Sequence, residues 1–297
     1  MKNPCFHDRP APGCRLIRDL SLDPAGEGAY TGTTRSGRAA PGRSFGGALV
    51  AQALLAAGAT APAGLSPGSV HAYFVTPGDS TRPVRYTVTA LGEGQSWALR
   101  QVTADQDGTV RLSAQASFRR FRTTAGSEHQ RPAPDGALEE PPEPGPGGDG
   151  CGCVAGYGFH IPGCGTDSRE AESKADSGSA PGAHRATWLR ARHDLGELPA
   201  WHAALLAYAS DIGSIGVVDL PHAAEPGIRR AASVDHAVWF HRPFRFDDWL
   251  WYGQRSPVLT GGRGLFEGGF YDGGGRLVAS VTQEVAIRRI VRTSDGA

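Results

Sequence analysis

The chain repeats itself, and that repetition limits its fold more than any other feature. HAYFVTPGDSTRPVRYTV from His71 is echoed by HAVWFHRPFRFDDWLWY from His236, and GTVRLSAQASFRR from Gly108 by GRLVASVTQEVAIRR from Gly275. His71 and His236 are 165 residues apart, Gly108 and Gly275 are 167 apart, and Arg119 and Arg288 are 169 apart. Segments recurring in one order at a nearly constant offset indicate an internal duplication. The fold must therefore be two copies of one unit.

Each copy opens on a helical pattern. SFGGALVAQALLAAGAT (44–60) starts the first, with Ser44 placed to cap its N-terminus, and ELPAWHAALLAYASDIGSIGVV (197–218) starts the second. Runs of β-rich or alternating residues follow: VRYTVTAL, SWALRQVTA and TVRLSAQASF, then WLWYGQR, GLFEGGFYD and RLVASVTQEVAI. Asp107-Gly108 and Asp272-Gly273 supply hairpin turns. One helix followed by an antiparallel meander, twice, predicts an α+β fold with a helix wrapped by a sheet in each copy. The expected domains are 1–125 and 184–297. Between them, 126–183 reads as a Pro/Gly/Ser-rich linker, and 131–183 cannot bury enough apolar surface to offset the entropy of ordering.

Thirty basic and 30 acidic residues cancel, so the electrostatic footprint of a nucleic-acid binder is missing. MKNPCFHDRPAPGCRLIRDL lacks the apolar run of a signal peptide, and the stretch 48–63 is interrupted by Gln52, Gly58 and Pro62, so no membrane insertion is expected. Five cysteines without an export signal read as reduced thiols of a cytoplasmic protein. Cys151, Cys153 and Cys164, with His160 among them, lack zinc-ligand spacing, and neither a metal nor a cofactor is expected.

In SVDHAVWFHRPFRFDDWLWY (233–252), seven of twenty side chains are aromatic. His236 and His241 stand five apart, on opposite faces of a strand or about 140° apart on a helix, and chelate in neither case. The stretch is packing in bulk, and its chemistry must lie in a few polar members. Gln283 is the polar member of an otherwise apolar alternation of Leu277, Ala279, Val281, Val285 and Ile287. It is either a glutamine satisfied by neighbouring backbone or part of a site. Asp211 is the one charge between His202 and Asp219, and helical periodicity puts it on the sheet-facing stripe with Ala204, Ala207, Tyr208 and Ile215. A carboxylate there needs a partner. Gly42-Arg43-Ser44-Phe45-Gly46 matches the serine-hydrolase elbow, but polar TTRSGRAAPGR precedes it where a buried strand is required.

Phe45-Gly46-Gly47, HAYFVTPGDS (71–80), YASD (208–211), SVDHAVWFHRPF (233–244) and VTQEVAIR (281–288) resemble the acyl-CoA thioesterase II family over most of 15–125 and 184–290. The resemblance implies a double hotdog, two fused domains each with a long helix wrapped by an antiparallel sheet, and a hydrolase acting on acyl-CoA. It implies that Asp211, Ser233 and Gln283 hold the nucleophilic water. Independently, backbone N–H groups at a helix N-terminus, Gly46 or Gly47, are expected to receive the developing oxyanion, and Gly46, Gly47 and Tyr208 to lie against substrate. A homodimer or higher homo-oligomer is expected. Ser233 stands where threonine is frequent, Ala48 where a glutamine often follows the two glycines, and the 131–183 stretch is unusual. The alternative is a non-catalytic acyl-CoA or acyl-carrier-protein binding module on the same fold. Hydratase chemistry would need a facing Asp-His pair, and adjacent Asp235-His236 point opposite ways on a strand.

Overall fold

Alanine and leucine dominate 46–59, a composition with high helix propensity and no polar face. Such a helix is stable only if surrounded, and the sheet surrounds it. The computed structural model describes residues 15–34, 36–37, 40–121, 127–138, 159–160, 184–191, 194–225 and 228–290. Copy one contains α1 (Arg15–Leu20), β1 (Asp23–Pro24), β2 (Ala29–Gly32), β3 (Ser36–Gly37), β4 (Ala40–Ser44), α2 (Gly46–Ala59), β5 (Ser66–Phe74), β6 (Val84–Glu93), β7 (Trp97–Gln106) and β8 (Thr109–Arg119). After β9 (Phe159–His160), copy two comprises β10 (His184–Ala191), α3 (Pro199–Ser210), α4 (Ser214–Asp219), β11 (Ile228–Ser233), β12 (Asp235–Phe240), β13 (Leu250–Thr260), β14 (Arg263–Tyr271) and β15 (Leu277–Ile290).

One antiparallel sheet carries both copies in the order β1-β2-β6-β7-β8-β5-β12-β15-β14-β13-β10-β9, with β11 also on β15. The copies join where β5 pairs β12, with Ala72 opposite His236. This pairing removes an exposed edge from each half-sheet. Helices α2 and α3 pack together against one face, and every residue from Gly47 to Ala59 and from Ala200 to Ser210 is buried. Pro199–His222 is long and apolar enough to cross a membrane by length and composition, but 67% of its most apolar window lies inside the fold.

Four expectations need correction. Ser44 does not cap α2: it ends β4, its hydroxyl pairs with Thr34 at 2.7 Å, and Phe45 holds the cap position without a side-chain bond. The second helix is not continuous over 197–218, because Gly213 adopts φ 87° and divides it into α3 and α4. Apolar periodicity runs through the break, so the sequence pattern hides it. Asp211 consequently caps the C-terminus of α3 rather than riding mid-helix. His71 and His236 are not equivalent positions. Val70 and Ala72 face the core on β5, whereas His71 is exposed with its ring edge-on to Trp239 at 4.7 Å. Ala72 is the counterpart of the fully buried His236. Side chains alternate with period two, so an offset wrong by one residue exchanges the faces.

Part of the linker is ordered. Gln130 donates to the Gly275 carbonyl at 2.9 Å and accepts from the Leu277 N–H at 3.1 Å, and Arg131 donates to Tyr271 at 2.8 Å. Ala137 is buried against Trp188, Trp251 and Tyr271. A few anchors suffice for 127–138 because a finished aromatic surface receives them. Residues 139–158 and 161–183, with Cys151, Cys153 and Cys164, lie outside the described residues, as do Cys5 and Cys14.

Candidate active site

At the junction of the copies, the N-terminus of α2 meets the C-terminus of α3. Asp211 stands between them, 8% exposed. Its Oδ2 accepts the Gly47 N–H at 2.9 Å, an anion placed on the positive end of a helix. Ser214 Oγ lies 3.4 Å from Oδ1 and 3.2 Å from the Asp211 carbonyl. Burial raises the carboxyl pKa above its ordinary value of 3.8, opposed in part by the hydrogen bonds from Gly47 and Ser214. Asp211 is thus a stronger base than a surface carboxylate.

The approach of the helices explains the two glycines. A Cβ on Gly47 would sit 2.4 Å from the Tyr208 carbonyl, and one on Gly46 2.8 Å from Asp211 Oδ2. Tyr208 is buried, its ring edge-on to Phe45 at 4.9 Å. Since Gly47 gives its N–H to Asp211, it cannot also serve an oxyanion. Gly46, half-buried at the first turn, keeps that capability.

Gln283 occupies the core face of β15 and is 1% exposed. Its Nε2 donates to Ser233 Oγ at 2.6 Å and to Ser214 Oγ at 3.1 Å. Its Oε1 lies 2.5 Å from His236 Nδ1, and His236 Nε2 lies 2.7 Å from Ser210 Oγ. Ser233 ends β11, opposite Val285 and half-buried. The structure therefore brings Asp211, Ser233 and Gln283 together, with Gly46, Gly47 and Tyr208 around them. Sequence reasoning missed His236, Ser210 and Ser214. The signal for His236 was present: it shares an alternation with Val238 and Phe240, the same anomaly that marked Gln283.

The equivalent place in copy one is blank. Ala72 opposite Ala114 stands where His236 and Gln283 face each other, and Thr60 caps α2 as Asp211 caps α3. Copy one runs from α2 to β5 without a second helix, and Arg100 fills the space. Its guanidinium, 2% exposed, bonds Thr60 Oγ1 at 3.0 Å, the Thr60 carbonyl at 2.9 Å and the Glu93 carboxylate. Its counterpart Gly264 instead lies under α4, where a Cβ would meet Val218 at 2.2 Å. A cavity of about 530 Å³, walled by Pro199, His202, Phe240, Phe244 and Trp249, opens at the N-terminus of α3, apart from Asp211 and Gln283. Among the described residues, no three ligating side chains cluster as a metal site.

Residues 35–119 match the family model of the acyl-CoA thioesterase N-terminal domain, and 135–287 that of the acyl-CoA thioesterase C-terminal domain. Acyl-coenzyme A thioesterase 8 of Mus musculus is 32% identical over 291 residues, covering 91% of this chain and 87% of that protein. Acyl-CoA thioesterase 2 of Haemophilus influenzae is 33% identical, covering 82% and 87% respectively. The crystal structure of an acyl-CoA thioesterase II from Mycobacterium marinum superposes with a TM-score of 0.76 at 32% identity, over 94% of this chain and 99% of that one. Both family domains, relatives along nearly the whole length and a shared double hotdog leave one placement: the chain belongs to the acyl-CoA thioesterase II family.

Proposed function

We propose that this acyl-CoA thioesterase hydrolyses its substrate with a water held by Asp211, Ser233 and Gln283. The observation carrying this reading is their convergence at the Gln283 amide, which bonds Ser233 directly and reaches the buried carboxylate of Asp211 through Ser214. The water gives a proton to the free face of Asp211 as its oxygen attacks the thioester carbon. The Ser233 hydroxyl, its oxygen already accepting from Gln283, directs its hydrogen at the water. The N–H of Gly46, at the positive end of α2, receives the oxyanion. Collapse breaks the carbon–sulfur bond and releases coenzyme A thiolate, a good leaving group because thiols ionise near ~8.5, which then takes the proton from Asp211.

The acyl chain is proposed to lie between the copies, since Gly47 of one touches Asp211 of the other. Exposed Tyr73 and Trp239 on the outer sheet face support self-association, to be read by sedimentation. Location in the cytoplasm is likewise proposed, from reduced cysteine usage. The test of function is thiol release from acyl-CoAs of graded chain length. Saturable hydrolysis of at least one is expected, and a folded protein inert towards all of them overturns the reading.

A further inference from the structure

His236 is 0% exposed, an aromatic base sealed between α3 and β15, and the mechanism above leaves it unused. Its two nitrogens each meet one partner, and counting protons among those partners gives it a task. Ser214 gives its one hydroxyl hydrogen to Asp211, whose carbonyl and carboxylate lie 3.2 and 3.4 Å away, so its oxygen can only accept from Gln283, and the end of Gln283 that meets it at 3.1 Å must be the NH₂. The second hydrogen of that end goes to Ser233. The carbonyl end, Oε1, then faces His236 Nδ1 at 2.5 Å, and two acceptors cannot share that distance. Nδ1 must carry a hydrogen.

The other nitrogen follows. A neutral ring with Nδ1–H has a bare Nε2, which needs a donor. The hydroxyl of Ser210, 2.7 Å away, is the partner there; its one hydrogen lies within reach of both the Ala207 carbonyl at 2.8 Å and Nε2, and on a ring protonated only at Nδ1 it must turn to Nε2. The adjacent carboxylate of Asp235 takes no part, since it accepts the Glu284 N–H.

We infer that His236 is a positioning residue, held by Ser210 as its Nδ1–H tautomer, which decides which end of the Gln283 amide faces Ser214 and Ser233. With the amide reversed, Oε1 would confront the Ser214 oxygen, whose hydrogen Asp211 holds, and Ser233 would lose the donor that turns its own hydrogen towards the water. The inference rests on the proposed role of Gln283, and it explains why a histidine is sealed beside that residue while Ala72 and Ala114 occupy the equivalent places in copy one.

Two substitutions separate orientation from mere space-filling. Asparagine places its amide NH₂ where Nδ1 lies and can still donate to Gln283, whereas glutamine reaches only to the Nε2 position and Ser210. His236→Asn is expected to retain kcat within about tenfold, and His236→Gln to lose at least about tenfold more with KM little changed, one hydrogen bond of orientation. The tautomer itself is read by NMR on protein with ¹⁵N-labelled histidine, the His236 ring being assigned by its loss in His236→Asn or its shift in Gln283→Glu. Nδ1–H is expected. A hydrogen on Nε2, whether the ring is neutral or doubly protonated, or equal losses in two folded variants, overturns the inference. If the wild type hydrolyses no acyl-CoA, the catalytic reading fails, and the NMR result still decides the tautomer.

Discussion

At Asp211 catalysis and stability pull apart. Burial raises the carboxyl pKa, so the folded state holds a proton that the unfolded chain, titrating near 3.8, has released. The contribution of Asp211 to stability should therefore fall as pH rises from 3.8 through the folded value, and the cost of the buried charge is full above it. The Asp211→Asn variant lacks this dependence. Its melting temperature relative to wild type should be higher at neutral pH than near pH ~4, as differential scanning fluorimetry would show. The same variant should lose at least ~10²-fold in kcat, the usual scale for a missing base. Because the base must be ionised, wild-type kcat should decline with acidification at a pH above the ordinary carboxylate range. An acid limb at 3.8 or below would remove Asp211 from the role.

Between elements, the critical contact is the meeting of α2 with the end of α3. A methyl on Gly47 would press 2.4 Å from a backbone carbonyl, which yields only if a helix moves. Gly47→Ala should therefore cost about 1–3 kcal/mol by chemical denaturation and lower activity as Asp211 loses its N–H partner. Gly216 in α4 is the control, because a methyl there would meet nothing within 4 Å and its backbone is not left-handed. Gly216→Ala should gain about 0.5–1 kcal/mol and leave kcat unchanged. If both alanines behaved alike, the close approach would not be what selects Gly47.

For the whole molecule, duplication has left one constellation. Thr60, Ala72 and Ala114 supply neither base nor amide, and Arg100 occupies the volume that α4 covers in copy two. Titration with a non-hydrolysable acyl-CoA should saturate near ~1 per chain. Arg100→Ala should destabilise the protein through lost packing and stranded carbonyls, by about 2–4 kcal/mol, without raising that stoichiometry. A value near ~2 that falls only when residues of both copies are changed would mean copy one retains a site.

Duplication, one helix per copy and the strand meanders were legible in the chain, because periodicity and turn residues are local properties that survive without tertiary information. Asp211 and Gln283 were legible too, since a polar group on an apolar face is an anomaly against its own neighbours. What the chain alone left undecided depended on partners distant in sequence. The break at Gly213 is invisible to a periodicity that continues across it. The true register of the copies, Ala72 against His236, is fixed by which face the other strands cover. Ser210 and Ser214 look like ordinary helix residues until Gln283, on a strand some seventy residues away, is brought within hydrogen-bond reach. Gly47 reads as a helix start, and only the crossing of α2 over α3 turns its N–H into the partner of a buried carboxylate.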